Sequence, residues 1–283
     1  MDKIIAIANQ KGGVGKTTVC QHLAYALAAT GRRVLCVDLD PQMNLTSSLT
    51  REGICAPQND INDLLCDLIE EVPLPPTLSY VARGGPVDFI PGSKLLSKRE
   101  GDLQSEIGTE KFLKEILAPL RPSYDYILID TNRVASPLMV NALTAADSVL
   151  IPLCPEFYSM EGMGDLVTTV LKTKRRLNPS LQFAGIVFSI CDLRTVIYRE
   201  TRKDVTAAYS DKIHIFSTAI PRTTKVGEAI RRGLSVMEYE PESSASIAFR
   251  TLAGEVIDYA EENNAASQTG KEHGGTRKLR LIG

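Results

Sequence analysis

The sequence predicts an α/β fold: a mostly parallel, twisted sheet flanked by helices on both faces. Near-continuous apolar strand runs alternate with stretches of helical periodicity, the pattern of a sheet covered on both sides. A glycine-rich loop joins the first strand to the first helix. Acidic residues end two apolar strands, and in open α/β sheets ligands bind at strand C-termini. With 283 residues, 43% hydrophobic and 23% charged, the chain is long enough to bury a substantial core as one large domain.

Taken in order, "KIIAIA" (3–8) is a short apolar, isoleucine-rich run that reads as the first strand. "KTTVCQHLAYALAATG" carries apolar residues at helical spacing and stops on Gly31. Further strands are expected at "RVLCVDLD" (33–40), "VDFIPGS" (87–93), "YDYILID" (124–130), "SVLIPLC" (148–154), "QFAGIVFSI" (182–190) and "KIHIFSTAI" (212–220). Helical patterns lie between most of them, notably at 109–118, 137–146, 159–177, 195–209 and 246–263. From about Asn263 the periodicity is lost in small and polar residues. Residues 1–262 are therefore expected to fold and 263–283 to form a flexible tail.

Composition narrows the function. A formal net charge of −2 gives the molecule as a whole no strong long-range attraction to nucleic acid. The N-terminal apolar run is too short for a signal sequence or a membrane span. Cys20, Cys36, Cys55, Cys66, Cys154 and Cys191 include no C-x-x-C pair, which argues against a disulfide framework or a cysteine zinc site and for reduced core residues in a cytosolic protein. His22, His214 and His273 form no ligand spacing.

The stretch "ANQKGGVGKTTVC" (8–20) comes within one residue of the phosphate-binding pattern G-x-x-x-x-G-K-[ST]. Gln10 stands where the first glycine belongs, and a second lysine, Lys11, comes directly after it. Backbone N–H groups of Gly12, Gly13, Val14 and Gly15 would close around phosphate oxygens, aided by the positive end of the adjoining helix. Lys16 would reach the β- and γ-phosphates, the Thr17 hydroxyl would ligate magnesium, and Thr18 completes the loop. Asp38 and Asp40 end one buried strand and Asp130 another. Such carboxylates hold a magnesium shell or orient an attacking water. A single strand-end aspartate often only caps the next helix; two such ends beside a phosphate loop point to a site.

At these residues the chain resembles the ParA/MinD ATPases, P-loop NTPases with a deviant Walker A motif. "KGGVGKTT" is similar to that motif and "VDLDPQMNLTSSL" (37–49) to the Walker A′ segment of the ParA branch. "YDYILIDT" with "NALTAADSVLIPLCPEFYSMEG" resembles its Walker B strand and the helix and strand beyond it. "AIPRTTKVGEAIRRGLSVMEYEPESSASIAFRTLAGEVI" resembles its C-terminal portion, so the likeness spans about residues 2–260.

The resemblance implies a purpose for the second lysine. Lys11 would cross, in an ATP-bound sandwich homodimer, to the phosphates held by the other subunit, a cation supplied in trans as an arginine finger is. ATP would assemble the pair and hydrolysis release it. By the same likeness Asp40 positions the attacking water, Asp38 and Asp130 lie near magnesium, and Pro221 and Arg222 pack near the adenine. One departure bears on turnover: the family continues its Walker B aspartate as D-x-P-P, and this chain reads Asp130-Thr131-Asn132-Arg133.

Charge is uneven. Residues 172–232 hold thirteen Lys and Arg against five Asp and Glu, so the segment is +8. Lys172, Lys174, Arg175, Arg176, Arg199, Arg202, Lys203, Lys225, Arg231 and Arg232 are the DNA-binding candidates. For any one of them a solvated helix face is the alternative; together they suit a phosphate backbone. The resemblance implies non-specific double-stranded DNA and a ParB-like activator as partners, at the nucleoid in the cytoplasm. The chain opens directly on the ATPase strand, so an N-terminal helix-turn-helix is expected to be absent. A MinD-like membrane ATPase would need a C-terminal amphipathic helix, and "TRKLRLIG" offers little apolar area. A metal-cluster carrier would need paired cysteines. Positioning of a protein cargo is not separable from DNA partition on these residues. Phe157 and Tyr158 would stack on a base or, more simply, pack at a helix start.

Overall fold

A computed structural model describes residues 4–132, 136–156 and 159–268, with the side chains at 159–161 and 263–268 excepted. Among the described residues, seven parallel strands form one sheet: β1 (Ile4–Ile7), β2 (Val34–Leu39), β3 (Asp88–Ile90), β4 (Tyr126–Thr131), β5 (Ser148–Leu153), β6 (Gln182–Cys191) and β7 (Ile215–Pro221). Their spatial order is β3-β2-β4-β1-β5-β6-β7, which puts β1 at the centre.

The helices are α1 (Lys16–Ala29), α2 (Asn44–Leu49), α3 (Ile61–Ile69), α4 (Leu96–Ser105), α5 (Phe112–Leu117), α6 (Pro137–Ala145), α7 (Ser159–Arg176), α8 (Val196–Tyr209), α9 (Thr224–Arg231), α10 (Val236–Tyr239) and α11 (Ser244–Gln268). Alternate strand residues feed two cores. Ile4, Ala6, Ile127, Ile129, Val149 and Ile151 pack under α3 to α8. Ile5, Ile7, Leu128 and Leu150 pack under α1, α2 and α9 to α11. Burying each such side chain is worth roughly 1.5–3 kcal/mol. A one-residue slip would exchange the two faces of a strand, so this packing sets the register.

The seven strands expected from the apolar runs are the seven observed, with the third shortened to Asp88–Ile90. Helices α2, α3, α4, α9 and α10 lie outside the helical patterns named from spacing. For α3 a signal is present in the sequence: Asp60 accepts from the N–H groups of Asn62 and Asp63, and Asp63 reaches back to Asp60 N–H, a capping box. Helix α4 buries only Leu96 and Leu103, too few to establish a period. Helix α11 continues to Gln268, beyond the expected domain end at 262; residues after 268 lie outside the described structure.

One buried group gives the fold a pH signature. His22, on α1, is fully buried against the Phe249 ring, 4.9 Å between centroids, and neither ring nitrogen has a hydrogen-bond partner of good geometry. Burial pushes its pKa down from 6.5 to about 4, and the nearby Thr18 carbonyl and Glu238 only partly oppose this. Between those values the unfolded chain holds a proton that the folded chain does not. Stability therefore falls as pH drops through that window, by about 3 kcal/mol from this group. Denaturant unfolding at pH 7, 5.5 and 4 should show the wild type losing that much relative to His22→Leu. A wild-type-minus-variant difference that ignores pH would refute the assignment.

Candidate functional site

The phosphate loop leaves β1 between the C-terminal ends of β4 and β5. Asn9 ties it down: its Nδ2 donates to the Pro152 carbonyl (2.8 Å) at β5, and its Oδ1 accepts from Lys11 N–H (2.9 Å). Gly13 and Gly15 take left-handed backbone, φ 76° and 80°, which glycine alone adopts without strain. Gly15 is the N-cap of α1 and offers no capping side chain. The first N–H groups of α1 are thus left to a ligand, as an anion site requires. Lys16 opens the helix, is only 8% exposed, and its amine donates to the Lys11 carbonyl (3.3 Å), folded over the loop.

The two acidic strand ends meet beside it. Asp130 is a register partner of both Ile7 on β1 and Asp38 on β2. Asp130 is completely buried, and no donor reaches either oxygen in hydrogen-bonding geometry. Burial first, then the Asp38 charge, push its pKa well above the usual carboxylate range; the adjacent Thr17 hydroxyl and Lys16 ammonium pull the other way. A buried carboxylate so weakly compensated is costly to the fold. A hard divalent cation is the group such oxygens fit, and Asp130 with the Thr17 hydroxyl forms the donor pair open to it.

Asp38 is differently engaged. Its Oδ2 accepts from Thr46 N–H (2.8 Å) and Thr46 Oγ1 (2.7 Å), and its Oδ1 from Asp40 N–H (3.1 Å). Burial raises its pKa and these hydrogen bonds oppose the rise. Asp38 therefore orders the β2–α2 connection and faces Asp130, with its oxygens already occupied. Thr46, which sequence reasoning missed, also accepts from Gly92 N–H (2.8 Å). Asp40 is half-buried, and its Oδ1 accepts from Gln42 N–H (2.9 Å), a local turn.

Lys11 has a partner within the chain: its amine forms an ion pair with Glu156 Oε2 at 2.7 Å, after β5. The same hydrogen bond, set against slight desolvation, holds the Glu156 carboxyl below its ordinary value. Pro221 ends β7 in register with Cys191, and Arg222 N–H donates to the Cys191 carbonyl (2.8 Å), so the "IPR" segment flanks the loop through β6. Asn132, where the family pattern has proline, is buried and donates to Glu100 Oε1 (2.9 Å) and Ser136 Oγ (3.3 Å). A proline has no such amide; through Asn132 this chain ties the end of β4 to Glu100 of α4 and to Ser136, the N-cap of α6. Arg133, Phe157 and Tyr158 lie outside the described residues.

The basic candidates do not share one face. Lys172, Lys174, Arg175 and Arg176 end α7, near the start of β5, since the adjoining Asn178 donates to the Leu143 and Ala146 carbonyls. That is the sheet end away from the phosphate loop. Arg199 and Lys203 are exposed on α8, while Arg202 is pinned, donating to Phe216 O (3.2 Å) with its guanidinium 5.3 Å from the Phe188 ring centre. Lys225, Arg231 and Arg232 belong to the opposite side, around α9. There Lys225 is shared by Glu228 (3.5 Å) and Glu240 (3.8 Å), and Arg232 covers Tyr239. The sequence-level picture of a single basic surface is corrected to separate groups, with Lys225 largely neutralised and Arg202 structural.

A family model described as an AAA domain matches residues 2–183. The chain is 38% identical over 256 residues to the sporulation initiation inhibitor protein Soj of Bacillus subtilis, covering 90% of this chain and 98% of Soj. It is 37% identical over 265 residues to the chromosome partitioning protein ParA of Caulobacter vibrioides, covering 93% and 97%. Among solved structures, a cobyrinic acid a,c-diamide synthase from Mycobacterium smegmatis with bound ATP analog and magnesium has a TM-score of 0.78 at 30% identity, covering 93% of this chain and 97% of that one. The cell division ATPase MinD of Pyrococcus furiosus has a TM-score of 0.70 at 26% identity, covering 91% and 99%. Likeness of this extent, running end to end through the loop and its flanking strands, means that the chain belongs to the ParA/Soj branch of the ParA/MinD-type P-loop ATPases.

Proposed function

We propose that the chain is an ATP-dependent partition ATPase whose ATP-bound homodimer binds DNA without sequence preference and lets go on hydrolysis. The observation that carries this is Asp130: a fully buried carboxylate beside Thr17, without a hydrogen bond of good geometry, at the end of the strand that flanks a two-lysine phosphate loop. Thr17 and Asp130 would hold magnesium, which neutralises phosphate charge when bound. Backbone N–H groups from Gly12 to Thr18 and the Lys16 ammonium bind the phosphates. Asp40 orients water for attack, with Asp38 keeping the Asp40 backbone in place. Lys11 leaves Glu156 for the phosphates of a second subunit, and Pro221 and Arg222 border the base. Turnover is slow until a ParB-like protein stimulates it, and the dimer resides on the nucleoid.

The test is binding to random-sequence duplex DNA with no nucleotide, ADP, ATP or a slowly hydrolysed analogue, across a salt series. Binding should require ATP or the analogue and fall by a factor of about 10³ or more between 50 and 200 mM salt if six or more phosphates are contacted. The double reversal Arg231→Glu/Arg232→Glu, the pair Arg199→Glu/Lys203→Glu and the pair Arg175→Glu/Arg176→Glu separate the three exposed basic groups at α9, α8 and the end of α7. Dimers that ignore DNA would overturn the partition reading. No helix among the described residues is long and apolar enough to cross a membrane; vesicles of anionic lipid in the same series report on a MinD-like surface association.

A further inference from the structure

The last residues of β6 touch the phosphate loop although 175 positions separate them in sequence. Ser189, 1% exposed, donates its hydroxyl to the Val14 carbonyl at 2.6 Å. Ile190 comes next in left-handed backbone, φ 55°, a conformation that a β-branched residue enters only under constraint. Its side chain lies against Gly15: a Cβ built there would meet Ile190 Cδ1 at 3.4 Å and Cγ1 at 3.5 Å. The next residue, Cys191, accepts from Arg222 N–H, so one short segment links the phosphate loop to the "IPR" segment.

The hydrogen bond has a directional consequence. In a trans peptide the carbonyl and the N–H point to opposite sides. With the Val14 carbonyl tied to β6, the N–H of the same peptide, that of Gly15, is turned away from β6 and into the loop. Phosphate-binding loops use such backbone N–H groups as their donors. We infer that Ser189 and Ile190 are positioning residues that hold the Val14–Gly15 peptide in its phosphate-binding orientation before nucleotide arrives. Ser189 sets the peptide plane; Ile190, held in an unfavourable backbone, fills the space beside Gly15 and stops the loop from relaxing. This inference rests on the ATPase reading above and specifies residues that the loop motif does not contain.

The test compares ADP and AMP affinities by calorimetry for the full chain and for Ser189→Ala, Ser189→Thr and Ile190→Gly. Loss of one buried hydrogen bond that orients a donor should weaken ADP binding roughly tenfold. AMP, which lacks the β-phosphate, should lose much less, so the ADP-to-AMP affinity ratio falls in Ser189→Ala and Ile190→Gly. Ser189→Thr retains the hydroxyl and should restore the ratio. Denaturant midpoints run alongside, because a merely structural role would lower stability and leave the ratio unchanged; that outcome overturns the inference. A wild-type chain that binds no ADP overturns the ATPase reading and this inference together, whereas wild-type binding with unchanged ratios overturns this inference alone.

Discussion

Asp130→Asn should make the nucleotide-free protein more stable and the enzyme inactive. The wild-type carboxylate is completely buried, has no hydrogen bond of good geometry although the Thr17 hydroxyl is adjacent, and faces Asp38 across a register pair. An uncompensated buried polar group costs about 1–3 kcal/mol, more when charged. Asparagine keeps the volume and removes the charge, so the denaturant midpoint should rise, with a gain of about 1–3 kcal/mol at neutral pH. The magnesium dependence of nucleotide binding should vanish in the same variant, because the remaining donor, Thr17, is neutral. Equilibrium unfolding and nucleotide titrations with and without magnesium measure both halves. A variant that is destabilised and still magnesium-dependent would mean that Asp130 belongs to the core and not to the site. The pairing of higher stability with lost activity is what distinguishes a functional carboxylate from a structural one.

The second large effect is expected at Lys11. In the single chain its ammonium sits on Glu156 at 2.7 Å, with the carboxylate about half exposed. Exposed ion pairs of this kind contribute at most about 1 kcal/mol. A polyphosphate presented by a second subunit offers far more charge, so the lysine can exchange partners without a large barrier. Lys11→Ala should leave ADP affinity of the monomer within a fewfold of wild type, abolish ATP-dependent dimers in sedimentation, and lower turnover by about 10³-fold, the scale of a cation supplied in trans. Glu156→Gln should do the opposite in mild form, lowering the ATP concentration needed for dimers by roughly two- to fivefold. Persistence of normal dimers in Lys11→Ala would confine this lysine to its contact with Glu156.

The contact with Glu156 also bears on how the site was legible. The loop, its two lysines and both acidic strand ends could be read from residues 8–20, 33–40 and 124–130, because a phosphate loop is a local object. Glycine at left-handed positions, a helix N-terminus and apolar runs ending in aspartate are each specified by neighbours in sequence. The surroundings of the loop could not be read that way. Glu156, Ser189 and Ile190 reach the site only through strand order and register, whereas Asn9 and Thr46 lie within the stretches 8–20 and 37–49 and were missed because their residue types alone do not give their hydrogen bonds. The basic segment illustrates the converse failure: 61 consecutive residues with a net charge of +8 are continuous in sequence, yet the sheet passes between α7 with α8 and α9.

By itself the sequence determined the fold class, the seven strands and the chemistry of the phosphate loop. Near-continuous apolar runs and helical apolar spacing dictate what must be buried, and glycine marks where the phosphate loop turns left-handed. Tertiary structure alone decided that β1 lies between β4 and β5, that Asp130 stands in register with Ile7, that Lys11 pairs with Glu156, and that Ser189 holds Val14. Those outcomes depend on which strands become neighbours. That choice is made by packing two cores at once, through contacts between residues more than a hundred positions apart.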